Sequence, residues 1–223
     1  INSFQFLEYN FNDSTSLSSE ITYLNYLAQQ AGGLSDQMFK EDPYQSNRSR
    51  NWFEVDWLLY NIKYKKEFSE KTNFTFSFFG LEAKRNSLGF RTNRVSQVDS
   101  GQERDLIKGD FSNFGFESRL LTRYKAFKNK SYFLIGLKYY NSNSSSIQGP
   151  GSNGSDANFN FQNSLYPNYN NQSDYTYPNK NIALFGENIF YLSENFSITP
   201  GFRYENIETK SCLLYTSPSP RDV

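Results

Sequence analysis

The sequence predicts an all-β chain of antiparallel up-and-down strands that forms part of a transmembrane barrel. Three observations carry that expectation. Apolar and polar residues alternate with period 2 along most of the chain, as in Phe74, Phe76 and Phe78 against Thr75 and Ser77. Aromatic residues make up 18% of the chain, with 22 Phe and 17 Tyr, although the mean hydropathy is −0.73, so many large rings sit in a hydrophilic sequence. Very short polar breaks also alternate with very long polar stretches, which places all the long connections at one end of consecutive hairpins.

The breaks set the elements. "NDST" (Asn12 to Thr15), "SEKT" (Ser69 to Thr72), "KNK" (Lys128 to Lys130) and "SEN" (Ser193 to Asn195) read as tight turns between strand-like runs. Strands drawn outward from them run Asn2 to Phe11, Leu17 to Leu27, Trp52 to Lys66, Asn73 to Leu81, Asn113 to Tyr124, Ser131 to Tyr140, Ile182 to Leu192 and Phe196 to Ile207. In the eighth, Phe196, Ile198, Pro200, Phe202 and Tyr204 fall on one face and Ser197, Thr199, Gly201, Arg203 and Glu205 on the other. Pro200 counts against an unbroken strand there, because proline has no N–H to give to a ladder. The connections about 28–51, 84–112 and 141–181 read as long extracellular loops, since loops beyond about 12 to 15 residues are uncommon in compact soluble domains.

No stretch approaches the roughly 18 consecutive apolar residues of a spanning helix, but barrel strands need only about 10 alternating residues each. The Phe196 face is therefore expected to meet lipid, and the Arg203 face water in a lumen. A soluble β-sandwich alternates in the same way and is the competing fold. The chain opens at Ile1 inside an alternating run, which reads as a start within a longer protein. Residues 212–223, "CLLYTSPSPRDV", drop the pattern and hold the single Cys; they resemble one reading frame of a transposase-type sequencing adaptor. The expected native segment is 1–211, a fragment of the barrel domain.

The chemistry legible in the side chains is binding, not catalysis. With no His, and with Cys212 in the foreign-looking tail, neither a Ser-His-Asp nor a Cys-His set can be assembled, and no phosphate loop is present. The expectation is no enzyme, no metal site and no cofactor. Glu54 and Asp56 pair on one strand face and read as a solvated lumen surface. Balanced charge, 23 basic against 23 acidic residues, gives no field for nucleic acid. "KRNSLGFRTNR", Lys84 to Arg94, is acid-free and carries Arg85, Arg91 and Arg94, and Arg48 and Arg50 in "SNRSRN" stand on the preceding connection. Guanidinium forks bind carboxylate or phosphate in bidentate fashion, so these five arginines are candidates for an anion site. The alternative is a solvated loop whose charges pair with Asp99, Glu103, Asp105 and Asp110. The uncharged, Gly-, Ser- and Asn-rich start of the third connection reads as a passive surface loop, with a flexible lid as the other reading.

"ALFGENIFYLSENFSITPGFRYE" (Ala183 to Glu205) resembles the barrel of TonB-dependent outer-membrane receptors. "AQQAGGLSDQMFKEDP" (Ala28 to Pro43), followed by "RSRNWFEVDW", is similar to the ferric dicitrate branch of that family; Ala31 stands where that branch usually has Pro. "LGFRTNRVSQ" and "RDLIKGDFSNFGFESRLLTRY" look like the same branch, so the resemblance spans most of Phe4 to Thr209. It implies about eight strands of a 22-stranded barrel in a Gram-negative outer membrane, among lipid and lipopolysaccharide. It further implies active import of a ferric chelate, with the iron carried in the ligand, and coupling to the TonB complex through a plug domain not contained in this segment. Arg48, Arg50, Arg85, Arg91 and Arg94 are then the carried candidates for neutralising the chelate. The alternatives are a passive porin-like channel and a secreted adhesive or carbohydrate-binding β protein.

Overall fold

A computed structural model describes residues 1–92, 94–126 and 129–214. The turn "KNK" is described only from Asn129, and Tyr215 to Val223 of the adaptor-like tail lie outside the described residues. One antiparallel sheet holds every strand: β1 (Asn2–Asn12), β2 (Thr15–Gln29), β3 (Trp52–Ser69), β4 (Thr72–Gly89), β5 (Asp105–Ala126), β6 (Asn129–Pro150), β7 (Ser173–Ser193), β8 (Phe196–Ile198), β9 (Gly201–Thr209) and β10 (Cys212–Leu214). Neighbours in sequence are neighbours in the sheet from β1 to β7. The last three segments line up along β7 as one interrupted strand.

The three tight turns that lie wholly within the described residues share one device. A short polar side chain accepts a hydrogen bond from the backbone N–H two residues on, from Ser14 to Asn12 Oδ1 at 3.0 Å, from Lys71 to Ser69 Oγ at 3.3 Å and from Asn195 to Ser193 Oγ at 3.4 Å. This is why Asn and Ser sit at those places, since each closes the reversal locally. The proline objection is also realised. The expected strand Phe196 to Ile207 is broken at Pro200 into β8 and β9, and Asn188 donates to the Pro200 carbonyl at 2.9 Å, the only ladder role that residue can take.

Register sorts the side chains. Tyr60, Ile62 and Tyr64 of β3, Phe76 and Phe78 of β4, Phe114 and Phe116 of β5, Leu137 and Tyr139 of β6, Leu184 of β7 and Phe202 and Tyr204 of β9 share one face. Their rings stack across strands, Phe116 on Tyr139 at 5.4 Å and Phe76 on Phe116 at 5.9 Å. The opposite face at the same level carries Lys63, Glu117, Arg119, Lys138, Arg203 and Glu205. There Glu117 bonds Arg119 at 2.6 Å, and Arg119 and Arg203 both lie over the Phe185 ring. Glu54 and Asp56 do not belong to that polar face. They share the face of Leu58, Tyr60 and Ile62, placed beyond the ring band toward the long connections, so their reading as a lumen surface is corrected.

The second and third long connections are much shorter than expected, while the first keeps nearly its expected bounds. Lys84 to Gly89 extends β4, Asp105 to Ser112 extends β5, and Asn141 to Pro150 with Ser173 to Asn181 extends β6 and β7. Beyond the ring band neither face needs to be apolar, so polar runs such as "NSNSSS" continue the ladder without the alternation that marks a strand. What remains is 30–51, 90–104 and 151–172. The first contains an unexpected helix, α1 (Asp36–Glu41), capped by Ser35, whose side chain accepts from the Met38 N–H.

Several glycines lie under rings from the next strand. A Cβ on Gly136 would stand 2.3 Å from the Phe185 ring and 2.9 Å from the Ser118 carbonyl, so no side chain fits. Gly136→Ala should therefore destabilise the intact protein by about 1 to 3 kcal/mol through overpacking, read as a lowered thermal unfolding midpoint in detergent. Trimming the ring with Phe185→Leu should recover part of the loss. Gly33→Ala, whose Cβ would meet Val95 at an ordinary 3.5 Å, should change little.

Candidate functional site

The five candidate arginines separate into two groups. Arg50 is spent on structure: its Nε and Nη2 grip both oxygens of Asp99 at 2.8 and 2.5 Å, and Nη1 donates to the carbonyls of Gln102 and Asn153 at 3.2 and 2.8 Å. Arg48 is buried, 5% exposed, and its guanidinium lies over the Phe90 ring while donating to the carbonyls of Asn47 and Val95. Of the acids expected to neutralise the basic run, Asp99 is taken by Arg50, and Asp105 accepts from Gln148 and from the Tyr169 hydroxyl.

Arg85, Arg91 and Arg94 form no ion pair among the described residues. Arg85 lies on β4 and not in a loop, with its guanidinium 5.4 Å from the Phe111 ring. Register places it on the face of Phe53, Ser87 and Ile107, whereas Lys84 points to the opposite face, in line with Asp56 and Asp110. The acid-free run is thus split by the pleat, and Lys84 leaves the cluster. A hollow of about 400 Å³ is lined by Gln30, Asn51, Phe53, Arg85, Ser87 and Arg91, among others. Next to it, a hollow of about 300 Å³ takes Arg48, Asn51, Arg91 and Arg94. Asn51 and Arg91 belong to both, and no carboxylate lines either. Unpaired guanidinium groups on a concave wall free of acids can accept an anion with several oxygens without first breaking a salt bridge.

The residue that holds this rim together is Arg104, which the sequence reading did not single out. It is fully buried and bonds the Ser152 carbonyl from Nε at 2.9 Å, the Arg50 and Asp156 carbonyls from Nη1 at 2.8 and 2.9 Å, and Ser152 Oγ from Nη2 at 2.6 Å. All three connections meet on one guanidinium. Around it, Leu88, Leu106 and Pro150 are buried, and the Trp52 indole donates to the Ser155 carbonyl at 2.8 Å. The third connection straddles the sheet end, with Phe161 under Lys108 on the ring-rich side and Tyr169 bonded to Asp105 on the other. It is pinned at both places, which the lid reading did not foresee. In the sequence Arg104 stands between Glu103 and Asp105 and looks like one more solvated charge.

The charges respond to this packing. The hydrogen bond from Arg50 holds the Asp99 carboxyl below its usual value, and the same bond raises Arg50. Burial, helped by the nearby Arg50, pushes Arg104 down. Burial and the bond to Asp105 push the Tyr169 phenol up.

A family profile described as TonB dependent receptor-like, beta-barrel matches residues 3–220. No curated protein sequence matches the chain. Among solved structures it is similar to the ferric citrate transporter FecA in its unliganded form, at 18% identity and a TM-score of 0.75 over 95% of this chain and 31% of that one. It is also similar to BauA, the ferric preacinetobactin receptor from Acinetobacter baumannii, at 10% identity and a TM-score of 0.63 over 96% of this chain and 34% of that one. The chain thus spans about a third of the length of these relatives, and at such identities the likeness is one of fold.

The clamp yields two expectations. Arg104→Lys in the full-length protein should speed proteolytic cleavage in both 90–104 and 151–172, because an ammonium cannot reproduce the fork and leaves buried carbonyls unpaired. Undiminished resistance would mean that the connections are held without it. The Asp99 carboxyl is lowered on folding, so the Arg50–Asp99 bond stabilises fully above the unfolded carboxylate value of about 3.9 and is lost as pH falls through the lower folded value. Hydrogen exchange across 94–104 should stay slow down to about pH 4 in the wild type and be fast at every pH in Asp99→Asn.

Proposed function

The chain belongs to the TonB dependent receptor-like, beta-barrel family, and on that premise we propose that it is a barrel segment of an outer-membrane receptor importing an anionic iron chelate, ferric citrate first among the candidates. The observation that carries the ligand class is the acid-free pair of hollows holding Arg85, Arg91 and Arg94 without ion pairs among the described residues. Citrate-type chelates present several carboxylate oxygens on a compact metal centre, and three guanidinium groups on one concave wall suit that distribution. The function named for FecA supports the choice of citrate; the one named for BauA shows that related folds serve other ferric ligands.

In this reading Arg48 and Arg50 build the wall and do not touch the ligand. The ring-rich face of Phe76, Phe116, Tyr139 and Tyr204 meets outer-membrane lipid and lipopolysaccharide, and the charged face of Glu117, Arg119 and Arg203 looks into the barrel. Energy for import comes from the TonB complex through a plug domain carried by the intact receptor. No chemical step is assigned to the segment, and iron enters as cargo.

Replacing Arg85, Arg91 and Arg94 together by Ala in the full-length receptor should weaken ferric citrate binding at least about 10-fold, taking roughly 1.5 to 3 kcal/mol for a charge-assisted hydrogen bond. The dependence of affinity on salt should flatten at the same time. A titration showing unchanged affinity would remove these residues from the site. Uptake that persists after the inner membrane is de-energised would instead favour a passive channel with the same wall.

A further inference from the structure

We propose that Asn51 is the positioning residue of the anion site, setting Arg91 on the wall that the two hollows share. The inference rests on the anion-site reading above and adds to it the device that aims its central guanidinium. Asn51 is the last residue before β3 and grips Phe90, the residue preceding Arg91, with both ends of its amide. Oδ1 accepts the Phe90 N–H at 2.8 Å, and Nδ2 donates to the Phe90 carbonyl at 3.3 Å. The backbone of Asn51 is itself tied down, its N–H donating to the Arg48 carbonyl at 2.9 Å and its carbonyl accepting from Gln30 at 2.8 Å.

A two-handed grip on one residue needs a donor and an acceptor on one short stem. Asp offers acceptors only, Ser has a single oxygen, and Gln is a methylene too long for the same closure. The amide also needs room, which Gly89 supplies. A Cβ at that position would stand 2.4 Å from Asn51 Cγ and Oδ1 and 2.7 Å from Nδ2. The Phe90 ring is held separately, beneath the Arg48 guanidinium at 5.3 Å. Chain direction at the exit from β4 is therefore fixed through the backbone by Asn51 and through the ring by Arg48. Arg91 follows at once, with no ion pair of its own among the described residues to hold it. Its placement in both hollows depends on where its backbone leaves the sheet.

The test is a double-mutant cycle in the full-length receptor, read as the Kd for ferric citrate in excess citrate. Asn51→Ala should weaken binding about 5- to 10-fold, the size expected for losing one charge-assisted contact. The same change in an Arg91→Ala background should weaken it no further. Gly89→Ala, which displaces the amide while keeping Asn51, should reproduce both results and guards against a folding defect peculiar to the first variant. A loss that persists in full without Arg91 would show that Asn51 merely supports the rim, and no loss at all would show that Arg91 is placed without it; either overturns the inference. If Arg85, Arg91 and Arg94 can all be removed without effect, or the wild type does not bind ferric citrate, the anion-site reading itself falls. That result is distinct, because the Arg91 single variant then shows no loss against which Asn51 could be compared.

Discussion

Along β5 and β6, 22 residues of one strand pair with 22 of the other, from Asp105 opposite Pro150 to Ala126 opposite Asn129, with no shift of register. That unbroken backbone ladder is what the rest of the structure depends on. A slip of one residue between β5 and β6 would turn the faces of one strand over against those of the other, setting Phe116 opposite Lys138 and Phe114 opposite Tyr140, so that rings and charges would share a face. A slip of one residue between β3 and β4, or between β4 and β5, would likewise set Arg85 opposite Asp56 or Asp110, which would neutralise it. The tight turns set the register at one end, and the pleat carries it over many residues to the rim where the hollows lie. Separation of Arg85 from Lys84, Asp56 and Asp110 is therefore a consequence of strand pairing.

The parts of the fold legible in the sequence are those where one face must be apolar. The Phe74, Phe76, Phe78 alternation and the three polar breaks that lie wholly within the described residues mark strands and turns correctly because rings on one side and Thr or Ser on the other leave a period of two. Past the ring band the same strands run on for several residues with polar groups on both sides, and the signal disappears although the hydrogen bonds do not. Asn141 to Pro150 reads as a Gly- and Ser-rich loop and is the loop-side half of β6. Pro200 is the opposite case, a local chemical fact strong enough to break a strand that the pattern would have continued.

The arginines show why side-chain roles were less legible than strands. Five were candidates, all with the same guanidinium, yet the jobs they take are set by what the folded chain places around them. Arg50 meets Asp99 across two connections, Arg48 meets a ring and backbone carbonyls, and Arg85 meets the Phe111 ring at the edge of a hollow with no acid in reach. Arg104, flanked by acids in sequence, is drawn away from both neighbours into a buried site where carbonyls and Asp156 surround it. Sequence neighbours suggested the pairing of charges; strand register decided it for Arg85, and packing between connections decided it for Arg50 and Arg104, both long-range properties that a window of ten residues does not contain.

A buried guanidinium is a costly way to join loops, and its use here follows from what the loops offer. Their contact surface is made mostly of backbone carbonyls, from Arg50, Ser152 and Asp156, which need donors, and only a side chain with several N–H groups in one plane satisfies them together. An apolar replacement of equal size would leave those acceptors unpaired beside Leu88 and Leu106. The clamp also explains why the arginines nearer the hollows can stay without partners. With the three connections already joined through Arg104, Arg50 and Asp99, stability of the rim does not require Arg85, Arg91 or Arg94 to be neutralised within the chain. Their charge is left to be met by whatever enters from solution.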